Sequence, residues 1–120
     1  GPDTQPDDRA LRDFWQLVTA NNGQRVMHRL IRYMAERRRL ESRWVGALRD
    51  TSVPMRFING AMDPISGAHM AAEYRRIVAR ADVVSLDRIG HYPQIEAPDA
   101  VMDAFLYFHD HLRESTPYRK

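Results

Sequence analysis

Two residues in this chain have the types and the setting for proton-transfer chemistry. His91 lies in the run Ile89-Gly90-His91-Tyr92-Pro93-Gln94-Ile95-Glu96-Ala97-Pro98, and Asp63 lies 28 positions earlier in Asn59-Gly60-Ala61-Met62-Asp63-Pro64. An imidazole titrates near pH ~6.5, so a neighbouring carboxylate readies it to act as a base at neutral pH. The carboxylate fixes the tautomer and stabilises the imidazolium; in a nucleophile–base–acid triad its loss costs on the order of 10⁴-fold in turnover. Each residue also has a plainer use, since Asp-Pro makes turns and Gly-His sits in loops. What joins them is the context they share.

Each of the two follows a short β-like run. Val53-Pro54-Met55-Arg56-Phe57-Ile58 ends at Asn59-Gly60, and Ala81-Asp82-Val83-Val84-Ser85-Leu86 ends at Asp87-Arg88. Between them Ser66 is placed to cap a helix, and Met70, Tyr74, Ile77 and Val78 recur at helical spacing. A crossover through a helix demands parallel strands, so both loops open at the same carboxyl edge of the sheet, where α/β proteins place their chemistry. Asp63 and His91 are therefore expected to be neighbours. A last helix begins at Pro98, with Asp99 favouring its dipole and Val101, Phe105, Phe108 and Leu112 on one apolar face. The fold class is α/β: a parallel strand-helix-strand-helix unit preceded by a helical segment.

That preceding segment, residues 1–50, is helical and charged. Asp7 and Asp8 open a first helix through Arg9 to about Thr19, with Leu11, Phe14, Trp15 and Val18 on its apolar side, and Asn21-Asn22-Gly23 ends it. One longer helical tract is expected from Gln24 to about Arg49, its end loosened by Gly46. The boundary separates residues 1–50 from residues 51–120, which carry Asp63 and His91.

The motifs of the second part resemble a known family. Gly60-x-x-Asp63-Pro64 after a strand, then Gly90-His91-Tyr92-Pro93-x-x-Glu96-x-Pro98 before a final helix, is similar to the C-terminal part of an α/β-hydrolase. The family order is nucleophile, acid, histidine, so the resemblance implies Asp63 as acid and His91 as base. It implies that residues 1–50 are the C-terminal helices of a cap over the active site. It also implies a role for Tyr33: the layout resembles the epoxide hydrolases, whose cap tyrosines donate to the epoxide oxygen, and a phenol suits a developing alkoxide. The plainer use of Tyr33 is packing on an amphipathic helix. Leu30-Ile31-Arg32-Tyr33-Met34-Ala35-Glu36-Arg37-Arg38-Arg39 with Arg43-Trp44-Val45-Gly46-Ala47-Leu48 resembles a narrower branch, the mesoderm-specific-transcript-like hydrolases. These stand with the epoxide hydrolase and haloalkane dehalogenase relatives, which use an aspartate nucleophile. The implied reaction forms an alkyl-enzyme ester that a His91-activated water hydrolyses.

The nucleophile itself is missing. Its strained strand-to-helix turn needs two glycines flanking a Ser or Asp, and the six glycines, Gly1, Gly23, Gly46, Gly60, Gly67 and Gly90, contain no such pair. Cysteine is absent, which excludes a thiol nucleophile, a disulfide framework and a thiolate metal site. Two parallel strands with open edges do not stand alone. The chain of 120 residues is therefore expected to work with a missing N-terminal hydrolase half or with another copy of itself, and to show no hydrolytic turnover unaided. The expected substrate is small and hydrophobic, an epoxide or a relative. A serine esterase or lipase-like hydrolase shares the same acid and histidine and stays open as the alternative.

Other classes are disfavoured by the pattern of charge. There are 18 Lys and Arg against 16 Asp and Glu, a net +2 with a pI near 9.3, and Arg37-Arg38-Arg39 invites a phosphate-binding or partner-binding reading. Interspersed Glu36, Glu41 and Asp50 favour a solvated helical face, so no nucleic-acid partner is expected. His109 and His111 straddle Asp110, but helical positions two apart point in different directions; no metal site and no cofactor are expected. No apolar run is long enough to span a bilayer and no signal peptide is seen, so no membrane partner and a cytoplasmic location are expected. Glu96 is expected to organise the His91 loop or the start of the helix rather than take protons, and the tail from Glu114 to Lys120 to fray.

Overall fold

Asp82, directly opposite Arg56 in the register, fixes the start of a small parallel sheet. In the computed structural model, which describes residues 1–115, strand β1 (Arg56–Gly60) pairs in parallel with β2 (Asp82–Leu86), from Arg56 opposite Asp82 to Gly60 opposite Leu86. The Arg56 guanidinium holds the Asp82 carboxylate at 2.8 Å and donates to the Ala104 carbonyl at 2.8 Å. It also lies over the Tyr107 and Phe108 rings, 5.2 and 5.3 Å from their centroids. One side chain thus ties both strands to the last helix, α6 (Pro98–Ser115). Both strands begin later than the β-like runs; Val53, Pro54 and Met55 stay outside the ladder.

The crossover helix α4 (Ala68–Ile77) packs Ala71, 1% exposed, into the centre of this unit, where Val78 is also buried. Tyr74 meets Phe57 of β1 with ring centroids 5.2 Å apart. Ser66 does not cap this helix, contrary to the expectation from sequence. The cap position is Gly67, without a side-chain bond, because the Ser66 hydroxyl donates to the Asp63 carboxylate instead. A single helical turn, α5 (Pro93–Glu96), precedes α6 and has no counterpart in the sequence reading.

Residues 6–50 form a second compact unit, and Gly1–Gln5, grouped with the helical segment on sequence, belong with the chain from Thr51 onward. In the helical unit α1 (Asp8–Thr19) is capped by Asp7, whose carboxylate accepts from the Ala10 amide at 2.7 Å. It ends where Asn21 and Asn22 take left-handed backbone angles, φ 51 and 60°, which asparagine tolerates better than most residues. The single tract expected from Gln24 to Arg49 is broken. A 3₁₀ segment (Ala20–Arg25) leads to the short α2 (Met27–Leu30), and α3 (Tyr33–Asp50) follows. The break arises where the Arg32, Met34 and Ala35 amides bond three residues back rather than four. Gly46 does not loosen α3, which runs on to Asp50. No residue of α1, α2 or α3 is buried.

Among the described residues no helix is long and apolar enough to cross a membrane. The tail expected to fray falls, from Thr116 onward, outside the described residues.

Candidate active site

The two loops that leave the carboxyl ends of β1 and β2 are stitched together before either reaches its candidate residue. The Ala61 amide donates to the Leu86 carbonyl at 3.0 Å and the Met62 amide to the Ile89 carbonyl at 2.9 Å. Gly60 makes this approach possible: a Cβ there would stand 2.0 Å from the Gly90 carbonyl oxygen and 2.8 Å from that of Ile89. With the backbones in contact, Asp63 and His91 are brought together. His91 Nδ1 and Asp63 Oδ2 are 2.8 Å apart, although 28 positions separate the residues in sequence. The Asp63 side chain is 4% exposed and that of His91 47%. A buried carboxylate therefore holds Nδ1 of a ring that is itself half-exposed, an arrangement that leaves Nε2 as the nitrogen free to serve as a base in triad chemistry.

Asp63 is held by its own loop. Oδ1 accepts the Ile65 amide at 2.8 Å, and Oδ2 accepts the Ser66 amide at 3.1 Å and the Ser66 hydroxyl at 2.5 Å. Burial pushes the carboxyl upward, but the Ser66 hydroxyl, the Ile65 amide and His91 outweigh it and hold Asp63 well below the usual carboxylate range. The loop is tight enough that a Cβ on Gly67 would stand 2.3 Å from the Asp63 carbonyl oxygen. Behind it Asn59, 4% exposed at the end of β1, donates from Nδ2 to the Ser66 carbonyl at 2.6 Å.

Glu96 does for His91 what that loop does for Asp63. Its carboxylate accepts the Gly90 amide at 2.8 Å and the Tyr92 amide at 3.1 Å, clamping the backbone on both sides of the histidine. The Gly1 amine and the Thr4 hydroxyl donate to it as well. Burial raises the Glu96 carboxyl, and these donors together bring it down to about 2. The Tyr92 ring meets the His91 ring edge-on, with centroids 4.8 Å apart.

Tyr33, the third residue singled out on sequence, is the first residue of α3 and belongs to the helical unit. It is 49% exposed, lines an open groove with Arg29, Leu30, Arg32, Glu36 and Arg39, and carries the Arg37 guanidinium 6.0 Å from its ring centroid. The histidines near the end of α6 turn to their own helix: His111 Nδ1 lies 2.9 Å from the Tyr107 carbonyl, and His109 packs on Phe105. Among the described residues no group of three His, Asp or Glu stands ready for a metal ion. The roles of Ser66 and Asn59 in holding the Asp63 loop escaped the sequence reading. The signal for Ser66 was its place three residues after an Asp, where hydroxyl and amide together reach back to the carboxylate.

No protein-family model matches the chain. Among characterised proteins it is 39% identical over 110 residues to the mesoderm-specific transcript protein of Mus musculus, covering 90% of this chain and 33% of that protein. It is 42% identical over 92 residues to LipZ of Mycobacterium tuberculosis, a protein designated a hydrolase, covering 77% of this chain and 32% of the relative. The chain thus spans about one third of the length of the curated relatives it matches. Among solved structures it resembles the α/β-hydrolase enzyme MGS-MChE2, from the metagenome of lagoon sediments at Mar Chica, Morocco. The TM-score is 0.57 at 17% identity, covering 87% of this chain and 45% of that one. With this fold and these relatives, the chain is a C-terminal α/β-hydrolase-like segment.

Proposed function

We propose that the chain supplies the acid and the base of an epoxide hydrolase-like enzyme acting on a small hydrophobic substrate. The observation that carries this reading is the 2.8 Å bond between a buried Asp63 and a half-exposed His91. In the proposed reaction an aspartate from elsewhere in the enzyme, in the remaining hydrolase half or a second copy, attacks an epoxide carbon. The C–O bond breaks, and the Tyr33 hydroxyl gives its proton to the leaving oxygen, with residues 1–50 serving as part of a cap. His91 then takes a proton from water at Nε2, the hydroxide attacks the ester carbonyl, the diol leaves as the aspartate is restored, and the proton on His91 returns to the Tyr33 phenolate through solvent. Asp63 keeps the imidazole in the tautomer that can accept this proton. The reaction calls for no cofactor. The 120 residues alone are expected to be inactive.

The test is His91→Ala in the full-length protein, incubated with an aryl or alkyl epoxide. Turnover is expected to fall by roughly 10³-fold or more, while an alkyl ester accumulates on an aspartate and is seen by mass spectrometry of the intact protein. Undiminished turnover would remove His91 from the mechanism. A covalent adduct on a serine, formed from aryl esters, would replace this chemistry with acyl transfer by a serine esterase.

A further inference from the structure

Asp63 receives more donors than a partner of His91 needs. The Ile65 amide on Oδ1 and the Ser66 amide on Oδ2 fix the plane of the carboxylate between them. The rotamer therefore does not depend on the Ser66 hydroxyl. What the hydroxyl adds is a further claim, at 2.5 Å, on Oδ2, the same oxygen that takes His91 at 2.8 Å. A hydrogen bond donated to a carboxylate oxygen draws charge from it and weakens it as an acceptor for the next donor. Ser66 is also kept in place, since its carbonyl is anchored by the buried Asn59 and Gly67 continues the tight loop.

We propose that Ser66 is a positioning residue that tempers the Asp63–His91 bond by sharing Oδ2. The groups around the pair are Ser66 from the loop after β1, His69 of α4, whose Nε2 lies 3.1 Å from the Ile65 carbonyl, and Tyr92 and Glu96 from the His91 loop. Of these, Ser66 alone shares Oδ2 with His91 among the described residues. The proposal rests on Asp63 and His91 acting as acid and base, yet it concerns the strength of their hydrogen bond, which can be read without turnover.

The experiment is proton and nitrogen NMR of the full chain with labelled histidine, following the downfield Nδ1 proton of His91, identified by its loss in Asp63→Asn. In Ser66→Ala this proton is expected to move further downfield and to exchange with water roughly five-fold more slowly, the scale of one modest hydrogen bond. Ser66→Thr, which keeps a hydroxyl, is expected to restore the wild-type position. An unmoved resonance in Ser66→Ala, or an upfield shift that threonine fails to correct, would overturn the proposal, and so would a wild-type spectrum without such a proton. If His91→Ala retains turnover while the Ser66→Ala shift appears, the hydrolase reading fails and the role of Ser66 stands.

Discussion

The unit that carries the sheet and the helical unit of residues 6–50 solve opposite problems with the same kinds of residue. In the first, backbone meets backbone: Gly60 lies under the Ile89-Gly90 carbonyls, Gly67 folds against Asp63, and several donors surround each of two carboxylates, the buried Asp63 and the half-buried Glu96. In the second, Trp15 is 66% exposed, Leu30 and Ile31 are each 61% exposed, and no residue of its three α-helices is buried. The helices owe their form to local signals, an Asp cap and left-handed asparagines, whereas the loops owe theirs to contacts far apart in sequence. Geometry held by burial and paired donors is precise, but it tolerates little change.

Glycine substitution breaks this comparison most directly. Gly60→Ala is expected to cost roughly 3 kcal/mol, the upper range for overpacking, since the new methyl would overlap a backbone oxygen that cannot swing aside. Urea denaturation followed by tryptophan-independent far-ultraviolet circular dichroism measures it. A loss below ~1 kcal/mol would mean that the two loops separate easily, and that their contact does not hold the Asp63–His91 pair.

The strand-helix-strand unit was legible in sequence because period and composition specify it: β-like runs ending at Asn59-Gly60 and at Asp87-Arg88, and a helix spaced by Met70, Tyr74 and Ile77. The nearness of Asp63 and His91 followed from parallel strands alone. The use of Ser66 did not follow, because a hydroxyl at a helix start can accept from an amide or donate to a carboxylate, and only the burial of Asp63 decides between them. The break before α3 was hidden for another reason. Residues 24–49 contain no proline, and the slip from four-residue to three-residue bonding at Arg32 leaves no mark in residue type. Glu96 was placed correctly as an organiser of the His91 loop, though its grip on both flanking amides needed the short turn of α5 to be seen.

Glu96 sharpens the comparison by adding charge to it. Its carboxyl, brought from an ordinary 4.5 to about 2, is depressed on folding, so its stabilisation is complete above the unfolded value and is lost as pH falls through the folded one. Glu96→Gln is expected to cost roughly 1–2 kcal/mol at neutral pH by weakening the bonds to the Gly90 and Tyr92 amides. The difference between wild-type and variant stability should be constant above about pH 4.5 and shrink toward zero by about pH 2. Denaturant titrations at a series of pH values would show it, and a difference that stays constant down to pH 2 would mean that the clamp is not electrostatic.

The smallest effect is expected in the other unit and has the opposite sign. Gly46 lies inside α3 with negative φ, and a Cβ there would meet nothing nearer than the Arg49 and Asp50 side chains at 3.9 and 4.0 Å. Alanine fits that backbone and has fewer unfolded conformations to lose, so Gly46→Ala is expected to stabilise the helix by about 0.5–1 kcal/mol. The readout is a gain in helical ellipticity at 222 nm and a later thermal loss of that signal. The same change, glycine to alanine, would then weaken one unit and strengthen the other, as expected if backbone contact governs the first and local propensity the second. Destabilisation by Gly46→Ala would show instead that this stretch of α3 packs closely against another surface, and the contrast between the two units would collapse.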